Sequence, residues 1–175
     1  MADTRRDQIV EIIRGASEPV TGGELAARLG VSRQIIVQDM AILRAAGEPI
    51  IATPRGYLTT PLSSGKALVR EVLAVQHTRE QIEAELTALV DLGIRVVDVV
   101  VDHPVYGELR GLLMIESRAD VRHFLQRLEG AEPLMALTRG VHLHTVEASR
   151  QGAIEEGRQA LRQLGILLGG ASAAP

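Results

Sequence analysis

Thr21-Gly22-Gly23-Glu24-Leu25-Ala26-Ala27-Arg28-Leu29-Gly30-Val31-Ser32-Arg33-Gln34-Ile35-Ile36-Val37-Gln38-Asp39-Met40 carries the first structural signal of the chain. Thr21 followed three residues on by Glu24 is a capping box, in which each side chain satisfies the other residue's free backbone N–H at a helix start. Leu25, Ala26 and Leu29 then supply an apolar stripe. Gly30-Val31-Ser32 interrupts it, and Ser32 caps a further helix carrying Ile35, Ile36, Met40, Ile42 and Leu43 as far as Ala46. Helix, tight Gly-containing turn and helix make up the helix-turn-helix unit, whose second helix lies in the DNA major groove.

The flanks extend the unit. Upstream, Ile9, Ile12 and Ile13 recur at helical spacing within Arg5 to Arg14, and Gly15 ends the pattern. Downstream, Ile50 to Thr53 and Tyr57-Leu58-Thr59 are two short β-type runs joined by Pro54-Arg55-Gly56, a hairpin with a cation at its tip. Residues 1–61 therefore read as a winged helix-turn-helix domain. Ser32, Arg33, Gln34 and Gln38 occupy the first two turns of the reading helix, and Arg and Gln suit bidentate contacts with guanine and adenine. Arg55 on the wing is placed for a phosphate or the minor groove. Asp39 must face away from DNA or answer a neighbouring cation. The alternative is a three-helix bundle with no DNA role, since Ala, Leu and Gly serve packing in any bundle.

Pro61 to Gly65 reads as a linker, and a second domain follows over 66–169. Its pattern is strand (Ala67 to Val75), helix (Thr78 to Leu92, with Thr78 and Gln81 as cap) and strand (Val96 to Val101). Then come strand (Gly111 to Ile115), helix (Arg118 to Leu128), strand (Val141 to Val146) and helix (Ala153 to Leu164). The fold class expected is α+β, with the winged helix-turn-helix joined to a β-α-β-β-α-β-α open-faced sandwich whose helices cover one face of a largely antiparallel sheet. The Ala- and Gly-rich stretch after Leu168 reads as a dispensable tail.

Composition removes several classes of function. At 175 residues with 46% hydrophobic and 23% charged side chains, the chain can bury two modest cores and is not a disordered polymer. Aromatics are 2%, namely Tyr57, Tyr106 and Phe124, too few for base-stacking platforms. With no Cys there are no disulfides, thiolate metal sites or thiol catalysis. No apolar run reaches membrane-spanning length, so a cytoplasmic protein without a membrane role is expected. Residues 1–60 carry seven Arg against seven acids, so DNA binding must use a local patch and gain from dimerisation. No nucleophile elbow, phosphate loop or paired general base is present, which argues against an enzyme.

The histidines are therefore the chief candidate ligands. His142 and His144, at i and i+2 on a strand, share a face roughly 7 Å apart and can clamp one ion, although such a pair also suits a merely polar sheet face. His77 precedes a helix that carries Glu85 two turns in, and both can converge on the same point. Three His and one Glu suit a borderline divalent ion such as zinc, nickel or iron(II). His77 before a helix cap also fits a phosphocarrier, a reading that leaves the other pair unexplained. His123, beside Arg122 on a helix, reads as solvated.

At this point the residues match a family. Arg5 to Thr59 resembles the domain that opens biotin-repressor-like regulators. Asp102-His103-Pro104-Val105-Tyr106-Gly107-Glu108 and Leu137-Thr138-Arg139-Gly140-Val141-His142-Leu143-His144-Thr145 resemble the three-histidine (3H) regulatory domain. Together they resemble the niacin-responsive repressors of bacterial NAD metabolism and niacin uptake. The resemblance implies a homodimer joined through the regulatory domain on a palindromic operator, with nicotinic acid as co-repressor and a nickel or zinc ion held at His77, Glu85, His142 and His144. A pyridine nitrogen is a good ligand for such an ion. Arg139, Thr138 and Thr145, which flank the histidine pair, are candidates for the effector carboxylate, and His103 and Tyr106 sit in a turn able to close over the site. The competing expectation is a metal-responsive winged-helix regulator with no organic effector.

Overall fold

A computed structural model describes residues 2–59 and 68–169. The chain divides between Gly65 and Lys66 into two compact units, each described by itself. The expected linker, Ala67 and the residues beyond Gly169 lie outside the described residues.

The first unit runs α1 (Ala2–Gly15), α2 (Gly22–Leu29), α3 (Arg33–Ala45), β1 (Ile50–Thr53) and β2 (Gly56–Thr59). The capping box forms: Glu24 N donates to Thr21 Oγ1 at 3.1 Å and Thr21 N to Glu24 Oε2 at 2.8 Å. Ser32 Oγ accepts from Ile35 N at 3.3 Å and so starts α3. Ile9, Ile13, Leu25, Ile36, Met40, Leu43 and Ile50 form the core. Ile42, expected within the apolar stripe, is instead 48% exposed. It lies roughly 120° from the middle of the buried side of α3, counting about 100° per residue.

β1 and β2 pair antiparallel as the wing, and Val20 adds a further bridge to Tyr57 through two 2.8 Å backbone hydrogen bonds. Gly56 makes that approach possible, since a Cβ there would meet the Val20 carbonyl oxygen at 2.6 Å.

The second unit runs β3 (Val69–Gln76), α4 (Ile82–Val90) after a 3-10 turn, β4 (Arg95–His103), β5 (Gly107–Ile115), α5 (Arg118–Leu128), a 3-10 turn (Leu134–Thr138), β6 (Val141–Ala148) and α6 (Gln151–Gln163). The sheet order is β3-β6-β4-β5 with every pairing antiparallel. Leu73, Val75, Val96, Leu113, Ile115 and Val146 from the sheet pack with Leu86, Leu89, Val121, Ile154 and Leu161 from α4, α5 and α6 into one core. The helices' apolar stripes force this layering, because each can be buried only against the sheet. β4 and β5 are longer than expected from periodicity, so His103 ends a strand and the turn shrinks to Pro104–Tyr106.

Between Val96 and Val100 the register of β4 against β6 slips by one residue. This bulge takes the Asp98 carbonyl out of the regular ladder, which matters for the site.

Candidate functional site

The β6 alternation turns His142 and His144 inward, and the Gly140 turn places His77 beside them. Thr78 N donates to Gln81 Oε1 at 3.1 Å, which starts the helical segment that brings Glu85 to the same point. All four side chains are buried, Glu85 to 1% exposure.

The imidazoles share one pattern. Nδ1 of His77 donates to the Thr78 carbonyl oxygen (2.7 Å), that of His142 to Gly140 O (2.8 Å) and that of His144 to Asp98 O (2.6 Å). A carbonyl oxygen only accepts, so each Nδ1 carries hydrogen and each Nε2 lone pair is free to face inward. The Nε2 atoms of His142 and His144 lie 3.2 Å apart, and Glu85 Oε2 is 2.7, 3.8 and 3.4 Å from the Nε2 atoms of His77, His142 and His144. Glu85 Oε1 is buried with no hydrogen-bond partner among the described residues.

Facing lone pairs and an orphaned carboxylate oxygen require positive charge among them, from protons or a cation. Burial pushes the Glu85 carboxyl up, but His144, His142 and His77 outweigh it and hold it well below the usual carboxylate range. Burial likewise opposes charging of His77 and His144, yet Glu85 overcomes it and raises both. Metal-bound imidazoles characteristically donate their other ring N–H to a carbonyl or carboxylate, and His77, Glu85 and His142, whose ligand atoms all lie within 4.8 Å of one another, could hold a metal ion. The donor set of imidazoles plus one carboxylate fits a borderline divalent ion.

A cavity of about 230 Å³ opens on the cluster. Ile82, Leu86, Val99, Leu113, Phe124 and Met135 make it apolar, and neither Arg nor Lys is among its lining residues. The Leu134–Thr138 turn, which forms one wall, was not legible in the sequence. Gly140 was also missed. A Cβ there would sit 2.3 Å from the His77 carbonyl oxygen, and its φ is +88°, so this glycine lets the turn before β6 press onto the His77 backbone.

None of His103, Tyr106, Thr138, Arg139 and Thr145 lines that cavity. His103 Nδ1 accepts from Val105 N (3.2 Å) and Tyr106 N (3.3 Å) at the β4–β5 tip, where Tyr106 is exposed. Thr138 hydrogen-bonds to Met135 O at 3.2 Å, and Arg139 is exposed in the left-handed region. Thr145 is buried on the sheet face opposite His142 and His144, its N donating to Asp98 Oδ1 at 3.0 Å. His123 is exposed, as expected.

On α3, Arg33, Gln34 and Gln38 are exposed beside the capping Ser32. Asp39 points the other way, buried, with Arg5 Nε at 2.6 Å and Arg6 Nη1 at 3.7 Å. Arg55 sits at the wing turn with Nη2 2.7 Å from Glu18 Oε2.

Fold and site together define a regulator: a winged helix-turn-helix unit followed by an α+β unit with a buried His/Glu centre. Comparisons agree, with residues 5–58 matching an HTH domain model and residues 70–170 the 3H domain. The chain is 46% identical over 166 residues to the probable transcription repressor NiaR of Thermotoga maritima, covering 94% of this chain and 93% of that one. It is 41% identical over 171 residues to the transcription repressor NadR of Bacillus subtilis, covering 96% and 95%. The chain belongs to this niacin-responsive repressor family; it is a DNA-binding transcription repressor rather than an enzyme. No helix among the described residues is long and apolar enough to cross a membrane.

Proposed function

We propose that this cytoplasmic repressor acts as a homodimer on a palindromic operator of NAD-biosynthesis or niacin-uptake genes, with nicotinic acid as co-repressor and a divalent ion, nickel or zinc, at His77, Glu85, His142 and His144. The observation that carries the reading is the junction of two features: a converging donor set with every Nδ1 tethered, and an apolar chamber that opens on it. An ion alone has no use for that chamber, whereas a small aromatic acid fits it. Because neither Arg nor Lys lines the chamber among the described residues, the effector's carboxylate belongs at the cluster and its ring against Phe124, Leu113 and Val99. The metal would supply the positive charge that receives an anion in a buried site.

On the DNA side, Ser32, Arg33, Gln34 and Gln38 would meet base edges and phosphates, and Arg55 would exchange Glu18 for a phosphate. Effector binding acts by favouring the arrangement of paired winged helices that fits both half-sites; it can shift that equilibrium only by its differential affinity. Fluorescence anisotropy of labelled operator tests this. Nicotinic acid is expected to tighten binding of the metal-loaded chain and to lose that effect after chelation. Operator affinity that follows metal alone and ignores nicotinic acid would establish the metal-responsive alternative instead.

A further inference from the structure

We infer that Val37 reads sequence, its isopropyl group meeting the 5-methyl of a thymine in each operator half-site. The inference rests on the operator-binding reading above. At about 100° per residue, Ile36, Met40 and Leu43 fall together on the buried side of α3, while Arg33, Gln34, Val37, Gln38 and Ala41 share the exposed side. Val37 lies one turn beyond Arg33 and Gln34, in the angular gap between them, and is 44% exposed. Ala41 continues the same strip one turn further and keeps it shallow. Ile42, the other exposed large apolar residue of α3, lies roughly 140° around the helix from Val37 and outside this strip.

A β-branched side chain gains nothing in helix propensity at a solvated position and leaves its apolar surface in water. Here it is framed by the polar side chains best suited to guanine and adenine edges. The thymine methyl is the one apolar group that a base pair presents in the major groove, and it stands beside the hydrogen-bonding edges those neighbours would read. The strip therefore matches a purine edge next to a thymine.

The test uses the full chain and duplexes enriched from random-sequence DNA, with and without nickel and nicotinic acid. Each thymine of the enriched sequence is replaced singly by deoxyuridine, which removes only the methyl group. For the parent chain, one thymine per half-site is expected to lose about four-fold in affinity, the equivalent of ~0.8 kcal/mol for a buried methyl-sized group. Val37→Ala, a change to the better helix former at an exposed site, is expected to bind the thymine and deoxyuridine duplexes equally. A flat deoxyuridine profile for the parent chain, or a methyl effect that persists in Val37→Ala, would overturn the inference while leaving operator binding in place. Failure to enrich any duplex would overturn both.

Discussion

Three imidazoles tethered through Nδ1 leave three Nε2 atoms and one carboxylate with nothing to share but protons or a metal ion. Replacing His142 and His144 together by Ala is expected to abolish metal retention after dialysis while the far-UV spectrum stays near that of the parent chain. Elemental analysis showing full occupancy in the double variant would remove the pair from the site. Protons compete for the same atoms, and the signs can be worked out. In the metal-free chain His77 and His144 titrate above their ordinary 6.5, so their stabilisation is fully present below that pH and is lost as pH rises through the raised folded values. Glu85, held well below its ordinary 4.5, contributes stability that is present above that value and is lost only when pH falls through its lowered folded value. The chelator-treated chain is therefore expected to melt higher near pH 6 than near pH 8, whereas metal retention improves from pH 6 to pH 8 as the protons leave. Thermal melts in the opposite order would contradict the protonated cluster.

At the scale of elements, the site depends on two irregularities: the β4 bulge, which frees the Asp98 carbonyl for His144, and the turn at Gly140, which places its own carbonyl on His142 and its Cα against the His77 backbone. Gly140→Ala is expected to cost roughly 1–3 kcal/mol, from a strained φ and a forced backbone contact, and to weaken metal retention with it. Gly93→Ala, also at positive φ (+73°) but with open space around its Cβ, should cost less and leave metal retention unchanged; equal effects of the two on metal retention would deny Gly140 its role. These irregularities also mark where sequence reading stops. The caps at Thr21 and Ser32 were legible because their hydrogen bonds close within three residues. So was the inward pairing of His142 and His144, which follows from strand alternation alone. The convergence of His77 and Glu85 was inferred from their neighbouring elements, and the geometry agrees. The cavity wall at Leu134–Thr138, the Gly56 and Gly140 contacts and the full lengths of β4 and β5 depend on partners far along the chain, so no local pattern announces them. Ile42 misled for a related reason: hydrophobicity marks an apolar residue, and only the packed helix shows which side it faces.

In the molecule as a whole, the helix-turn-helix and the buried His/Glu cluster are kept in separate units. The first carries seven Arg against seven acids over residues 1–60, so its affinity cannot come from bulk charge. On the proposed reading its exposed α3 side chains would supply specificity, and a second copy would supply the rest. The second unit has a polar, titratable cluster in the lining of an apolar chamber of about 230 Å³, so on the proposed reading metal and effector would share one site and each would strengthen the other's binding. Calorimetric titration of nicotinic acid into the full chain, once loaded with nickel and once stripped by chelator, tests that claim directly. Binding that is tight in the loaded chain and lost in the stripped chain is the predicted result; binding of equal strength in both, or in neither, would contradict it.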